Sequence, residues 1–105
     1  MKEKIYRTTV PIYGTILKLV VTDDVIGFSK KYSDDTSPVA FTAWIKGILH
    51  IVVPNKKALG VVAHEAVHTA AEVLDHHGVK WSKSNQEPLC YVVGWIIDWI
   101  YKVVK

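Results

Sequence analysis

The chain has 105 residues, half of them apolar and 22% charged, with a formal net charge of +3. This length predicts a single domain over residues 1–105, and the apolar content excludes a disordered chain. A single cysteine, Cys90, excludes a disulfide framework and is typical of a reducing compartment, so we expect a cytoplasmic protein.

The first half of the chain predicts strands and one short helix. Alternating and β-branched side chains predict four strands, over residues 5–12, 15–21, 39–45 and 48–53. A short helix is predicted over 23–32 with Thr22 at its N-cap, with a strand from Val25 as the alternative, followed by a loop over 33–38. The dipeptide Lys46-Gly47 predicts a tight hairpin between the last two strands.

Two longer helices are predicted in the second half. Residues 56–77 contain no proline, Asn55 is a suitable N-cap and Gly78 suits the position after the helix. A second, apolar helix is predicted from about Gln86 to the end of the chain. The order β-β-α-β-β-α-α predicts an α+β domain, with helices packed on a small antiparallel or mixed sheet.

The chemistry-bearing motif is the segment His64-Glu65-Ala66-Val67-His68, which has the form H-E-x-x-H. Histidines four residues apart on a helix share one face, with about 5–6 Å between Cβ atoms, so both rings can reach one ion. Glu65 is turned about 100° from His64 and lies where a general base for a metal-bound water belongs. The alternative is a half-buried histidine pair with a surface glutamate.

A catalytic zinc ion needs a third protein ligand and an open position. The H-x-x-G-x-x-H continuation of metzincins is absent, and Glu72 follows on the same stripe as both histidines, from which it cannot wrap the ion. The ligand must therefore come from another element, and Glu87 opens the next predicted helix. As an alternative, Glu87 closes a capping box with Ser84; an N-cap at Asn85 would leave Glu87 free.

These residues resemble the gluzincin pattern of zinc metallopeptidases, in which H-E-x-x-H is followed by a glutamate on the next helix. The resemblance covers residues 56–98, and small phage-encoded zincin-like proteins are similar. It implies a minimal zincin-like domain. It also implies one zinc ion (Zn²⁺) per chain and four site residues: His64, His68 and Glu87 as ligands and Glu65 as catalytic base.

Three further residues follow Glu87 on one stripe of the last helix. Tyr91 is a candidate to donate a hydrogen bond from its phenol to the oxyanion of the tetrahedral intermediate. The alternative is a tyrosine that packs in the core. Gly94 is expected to let the two long helices approach closely. Asp98 is a candidate to orient a histidine ligand, with Glu72 as its rival; the alternative for both is a charge that faces solvent.

The remaining candidates have structural interpretations. His50 is expected on a solvent-facing side or edge of its strand, and Cys90 is expected as a small buried residue. His76 and His77 are interpreted as cations at a helix C-terminus. The apolar last helix is expected either in the core or on a self-association surface.

The predicted function is hydrolysis of peptide bonds by a zinc metallopeptidase acting on a peptide or protein, with an extended substrate held against the 39–53 hairpin by strand addition. The alternatives are a non-catalytic, zinc-stabilised binding or inhibitor protein and a DNA-associated protein. The lysines are scattered, so nucleic acid is not argued for. No apolar run reaches the ~18–20 residues that cross a bilayer, so no membrane partner is expected.

Overall fold

The computed structural model describes residues 3–32 and 39–104, and the predicted loop over 33–38 lies outside them. The elements are β1 (Glu3–Thr9), β2 (Ile16–Thr22), α1 (Val25–Lys30), β3 (Phe41–Ile45), β4 (Ile48–Val53), α2 (Leu59–His76) and α3 (Glu87–Val103). The predicted α+β class and the predicted element order are therefore confirmed.

The strands form a mixed four-stranded sheet in the order β1-β2-β4-β3. The outer pairs are antiparallel, and the central pair, β2 and β4, is parallel. The two central strands carry runs of β-branched and leucine side chains because one of their faces is covered throughout and the other at one end. Consequently β1 and β3 are the edge strands, each with a single partner in the described part of the sheet.

The main core lies between one face of the sheet and the two long helices. Leu19 and Ile51, which are opposite each other in the parallel pair, are fully buried on this face. Alternate residues of the same strands, Val20 and Val52, face the other way and pack with Phe28 of α1. The sheet is thus covered on one face by α2 and α3 and, at one end of the other face, by α1.

Turn chemistry sets two of the connections. Lys46 and Gly47 both have positive φ, 51° and 79°, which is the type I′ geometry of a two-residue hairpin, so the predicted hairpin is confirmed. Helix α2 ends at His76, and the predicted glycine, Gly78, follows the C-cap residue with φ of 69°. The Val79 amide donates to the Leu74 carbonyl and the Gly78 amide to the Asp75 carbonyl, which closes the helix end.

Several predicted boundaries and caps were wrong. Strand β1 ends at Thr9, before Pro11, whose nitrogen cannot donate a ladder hydrogen bond. The N-cap of α1 is Asp24, which accepts from the Gly27 amide, and not Thr22. Asn55 accepts from the amides of residues 57 and 58, so its side chain closes a turn ahead of α2, and Ala58 is the N-cap.

The prediction for Gly94 was also wrong. Gly94 is exposed, and a Cβ atom built on it would meet nothing within 4 Å. The long helices instead meet through fully buried apolar side chains, including Val92, Ile96 and Ile100 of α3. Gly94 lies off that contact, so its small size does not bring the helices together.

His50 is buried, and its predicted place at a solvent-facing side or edge was wrong. It lies in the central strand β4, between Lys18 of β2 and Ala43 of β3, and is 7% exposed. One ring nitrogen, Nδ1, lies 2.8 Å from the Ile48 carbonyl. Burial lowers the pKa of His50; the Ile48 carbonyl opposes this shift and the Lys18 charge adds to it.

We expect this lowered pKa to make the protein less stable in acid. The His50 contribution is complete above the unfolded pKa of about 6.5 and is lost as the pH falls through the folded pKa, since the unfolded chain binds the proton more readily. Urea unfolding at about pH 7.5 and about pH 5 should show a smaller loss of unfolding free energy in His50→Gln than in the wild type. The exposed His76→Gln is the control; a loss in His50→Gln as large as the wild-type loss would contradict the assignment.

Candidate metal centre

His64 and His68 lie on the face of α2 that points away from the core. Val62, Ala66 and Ala70 of the same helix are fully buried, whereas both histidines are exposed. Because the histidines are one helical turn apart, their rings converge, and the two Nε2 atoms lie 3.1 Å from each other. The helix therefore presents two nitrogen donors to the same point in space.

This separation fits two ligands of one zinc ion. Two nitrogens that each lie about 2.0–2.1 Å from a tetrahedral ion are ~3.3 Å apart, close to the distance between the histidine nitrogens. Imidazole nitrogen is also the ligand type that zinc takes most readily besides thiolate. The distance between the two nitrogens, which is also that of a hydrogen bond between the rings, is therefore compatible with two ligands of one zinc ion.

Glu65 is buried beside this pair. The residue is 6% exposed, and its Oε1 atom accepts a hydrogen bond of 2.8 Å from the Thr42 hydroxyl on β3. Its other oxygen, Oε2, lies 4.0 Å from Nε2 of His64. One carboxylate oxygen is thus held by the sheet edge while the other lies next to the histidine nitrogens.

Two threonines connect α2 to β3 around this carboxylate. The Thr69 hydroxyl donates to the backbone carbonyl of Glu65 at 2.7 Å, and it lies 3.3 Å from the Thr42 hydroxyl. Thr42 was not predicted as a site residue. Strand alternation places it on the same face of β3 as Trp44, but no local signal identifies its partner, because Glu65 is 23 residues away.

The histidine pair opens onto a cavity of about 590 Å³ between α2 and β3. This is within the range of ligand pockets. Its walls come from β3 and the residues just before it, from α2, and from the segment that follows α2. The residues lining it are Ala40, Phe41, Thr42, His64, Glu65, His68, Ala71, Glu72, Asp75 and Trp81.

The structure does not bring Glu87 to the histidines. Glu87 is the first residue of α3, is exposed and does not line the cavity. Within residues 3–32 and 39–104, no three His, Cys, Asp or Glu side chains are close enough to hold one ion. The alternative capping box is not formed either, since Gln86 is the N-cap and no side chain caps α3.

The other predicted residues on α3 also lie outside the cavity. Tyr91 is 49% exposed and does not line the cavity, so its role as an oxyanion donor stays a prediction. Asp98 is exposed, whereas its rival Glu72 does line the cavity. Cys90 is exposed, and the prediction that it is buried was wrong. It points outward because the core stripe of α3 runs through Val92 and Ile96.

His76 and His77 end helix α2 at the positions expected for C-terminal cations. His76 is the last helical residue and packs its ring against Trp44, with 5.0 Å between the ring centroids. The Nδ1 atom of His77 lies 2.8 Å from the Val73 carbonyl, one of the carbonyls left without a helical partner at this end. Neither histidine lines the cavity of the His64 pair.

Comparison with known proteins found no matching family model, no similar curated protein and no similar solved structure. Among the described helices, none combines the length and the apolar character needed to cross a membrane.

Thr42→Val should lower the free energy of unfolding by about 1–3 kcal/mol, because it leaves the buried Glu65 carboxylate without its hydrogen-bond donor. Urea denaturation of the purified variant measures the change. Thr8→Val is the matched control, since Thr8 is half-buried on the other edge strand and its side chain has no hydrogen bond in the described part of the chain. An equal effect of the two substitutions would show that the Thr42 bond contributes nothing specific.

Proposed function

We propose that this chain is a zinc-dependent peptidase of the minimal zincin type, in which Glu65 is the general base. The proposal is carried by one arrangement: the Nε2 atoms of His64 and His68 are 3.1 Å apart, and Glu65 Oε2 is 4.0 Å from the first of them. These atoms border an open cavity of about 590 Å³, large enough for part of a peptide. Two nitrogen donors beside a fixed carboxylate suit metal-assisted hydrolysis.

The chemistry of Glu65 follows from its two oxygens. A zinc ion on the histidines would supply a Lewis acid that polarises the scissile carbonyl and makes water easier to deprotonate. Because Thr42 occupies Oε1, Oε2 is the atom that accepts a proton from the attacking water and returns it to the leaving nitrogen. A C–O bond forms and the C–N bond breaks, so the products are a carboxylic acid and an amine.

The sheet edge offers a place for an extended substrate. Strand β3 pairs only with β4 in the described sheet, and its residues Phe41 and Thr42 line the cavity. An edge strand has unpaired backbone groups that can take up a peptide as an additional strand. A peptide paired with β3 would pass close to the histidine pair, which supports a polypeptide substrate.

For the third ligand we propose Glu87, whose exposed side chain lies outside the cavity and would have to turn toward the histidines when zinc binds. Its rival Glu72 lines the cavity but lies eight residues after His64 on the same helix, ~12 Å along the axis, so it cannot join both histidines on one ion. Tyr101 donates a hydrogen bond to the Lys56 carbonyl, which places the end of α3 beside the start of α2. The helices are therefore antiparallel, and Glu87 opens α3 near the half of α2 that carries His68.

The first test is the zinc content of the purified protein. We expect one zinc ion per chain, and His64→Ala and His68→Ala should each abolish binding because each removes one of the two converging nitrogens. Elemental analysis after dialysis against zinc and then buffer measures the stoichiometry. His76→Ala is the control, since it removes an exposed histidine of the same helix, and Glu65→Gln should also retain zinc.

The same titration identifies the third ligand. With a competing chelator, Glu87→Gln should weaken zinc binding at least about tenfold, in line with the loss of a ligand, whereas Glu72→Gln should leave it unchanged. Wild-type protein that holds no zinc when metal-replete would refute the metal centre. A loss in Glu72→Gln with none in Glu87→Gln would contradict Glu87 as the third ligand.

A second candidate function is a zinc-stabilised binding protein without catalysis. It is favoured by one observation, that neither Glu87 nor Tyr91 lines the cavity of the histidine pair. Such a protein would use the cavity and the edge strand β3 to hold a partner, and it would have no need of a base at Glu65. The two functions therefore differ in what the Glu65 carboxylate contributes.

Catalysis is tested by expressing the wild type and Glu65→Gln side by side and searching the proteome for new N-termini. We expect wild-type-specific cleavages that Glu65→Gln lacks, because the amide cannot accept the proton from water. Glu3→Gln on the opposite edge strand is the matched control and should cleave like the wild type. Identical N-termini from wild type and Glu65→Gln would reject the peptidase and leave the binding protein.

A further inference from the structure

We propose that the cavity beside the histidine pair selects substrates that carry a lysine or arginine side chain, and that Glu72 and Asp75 are the residues that determine this specificity. The inference rests on the proposed function and names the substrate class of the same site.

Both carboxylates lie on the continuation of the helix that carries the histidines. Glu72 and Asp75 follow His68 by four and seven residues, which is ~6 and ~10 Å along the helix axis. Both line the same cavity as the histidines. An extended peptide advances ~3.3 Å per residue. The side chain of a substrate residue about two or three positions from the cleaved bond would therefore reach both carboxylates.

The negative charge of this cavity is not neutralised by the protein. No lysine or arginine lines the cavity. In the parts of the chain that the structure describes, neither the Glu72 nor the Asp75 side chain has an ion-pair or hydrogen-bond partner. Three of the ten acidic residues of a chain with net charge +3 line this one cavity, counting Glu65. The cavity is thus an acidic site on a basic protein.

The walls suit a long side chain with a terminal cation. Trp81 is the aromatic residue of the walls, since the Phe41 ring packs against Phe28 on the other face of the sheet, while Ala40 and Ala71 are small and leave room. The methylene groups of lysine or arginine can lie along such apolar walls and leave the charged end with the carboxylates. A cation close to an aromatic face gains further attraction. A glutamate side chain would meet two like charges in the same place.

Peptide binding to the zinc-loaded Glu65→Gln variant tests the specificity separately from catalysis. The probes are blocked pentapeptides of alanine with a central lysine, arginine, norleucine or glutamate, titrated at low ionic strength while the Trp81 indole NMR signal is followed. We expect the lysine and arginine peptides to bind at least about tenfold more tightly than norleucine, and glutamate to bind least. Added salt should reduce the difference.

The carboxylates are then removed in the same background. Glu72→Gln and Asp75→Asn should each reduce the preference for lysine over norleucine, and the double variant should abolish it. Asp98→Asn, which removes an exposed charge outside the cavity, is the control and should keep the preference. Equal binding of lysine and norleucine peptides, or a preference that survives in the double variant, would overturn the proposal.

Two readouts separate this inference from the proposed function. Zinc content should be unchanged in Glu72→Gln and Asp75→Asn; loss of zinc would make the carboxylates metal ligands and overturn their role in specificity. Cationic selectivity in binding, together with N-termini that are identical in the wild type and Glu65→Gln, would reject the peptidase and retain the cationic pocket. Wild-type-specific cleavages with no preference for basic residues would retain the peptidase and reject the cationic pocket.

Discussion

The site depends on the burial of one carboxylate, that of Glu65, on the face of α2 that meets the sheet edge. A carboxylate at 6% exposure is strongly destabilising unless a donor replaces the water it has lost. Thr42 is that donor, so β3 must lie against α2 at this point in the chain. This contact leaves the other oxygen, Oε2, 4.0 Å from Nε2 of His64. The position of the edge strand next to the histidines therefore follows from satisfying a single buried group.

Much of the fold could be predicted from features that involve residues close together in the sequence. The apolar run from Ile48 to Val53 and the Lys46–Gly47 turn predict their strand and hairpin directly, since both depend on side chains close in sequence. The convergence of His64 and His68 was predictable for the same reason, because the helical repeat alone aligns them. Burial was harder to predict. His50 and Cys90 were misplaced because the exposure of each depends on which distant element covers its face.

The third ligand of the proposed zinc ion could not be identified from the sequence alone. The interval between His68 and Glu87 is long enough for a helix end, a turn and a return, but it does not set how α3 is rotated about its own axis. That rotation follows from the core, where Val92 and Ile96 face α2 and the sheet and direct Glu87 and Tyr91 elsewhere. A glutamate at the first position of a helix is also stabilised by the helix dipole without any metal. The position of Glu87 at the start of α3 therefore does not distinguish a zinc ligand from a residue that only stabilises the helix N-terminus.

The proposed zinc ion and the carboxylates of Glu72 and Asp75 would lie at different points along α2, with the carboxylates nearer its C-terminal end. A zinc ion at the histidines would bring two positive charges, which repel a substrate cation, yet Coulomb energy falls with distance. A lysine ammonium ~4 Å from Glu72 and Asp75 and ~10 Å from the ion feels each carboxylate about two and a half times as strongly as each charge of the ion. Glu65, beside His64, offsets one of the two positive charges. Attraction therefore exceeds repulsion at the far end of the cavity, and a metal at one end is compatible with a cationic side chain at the other.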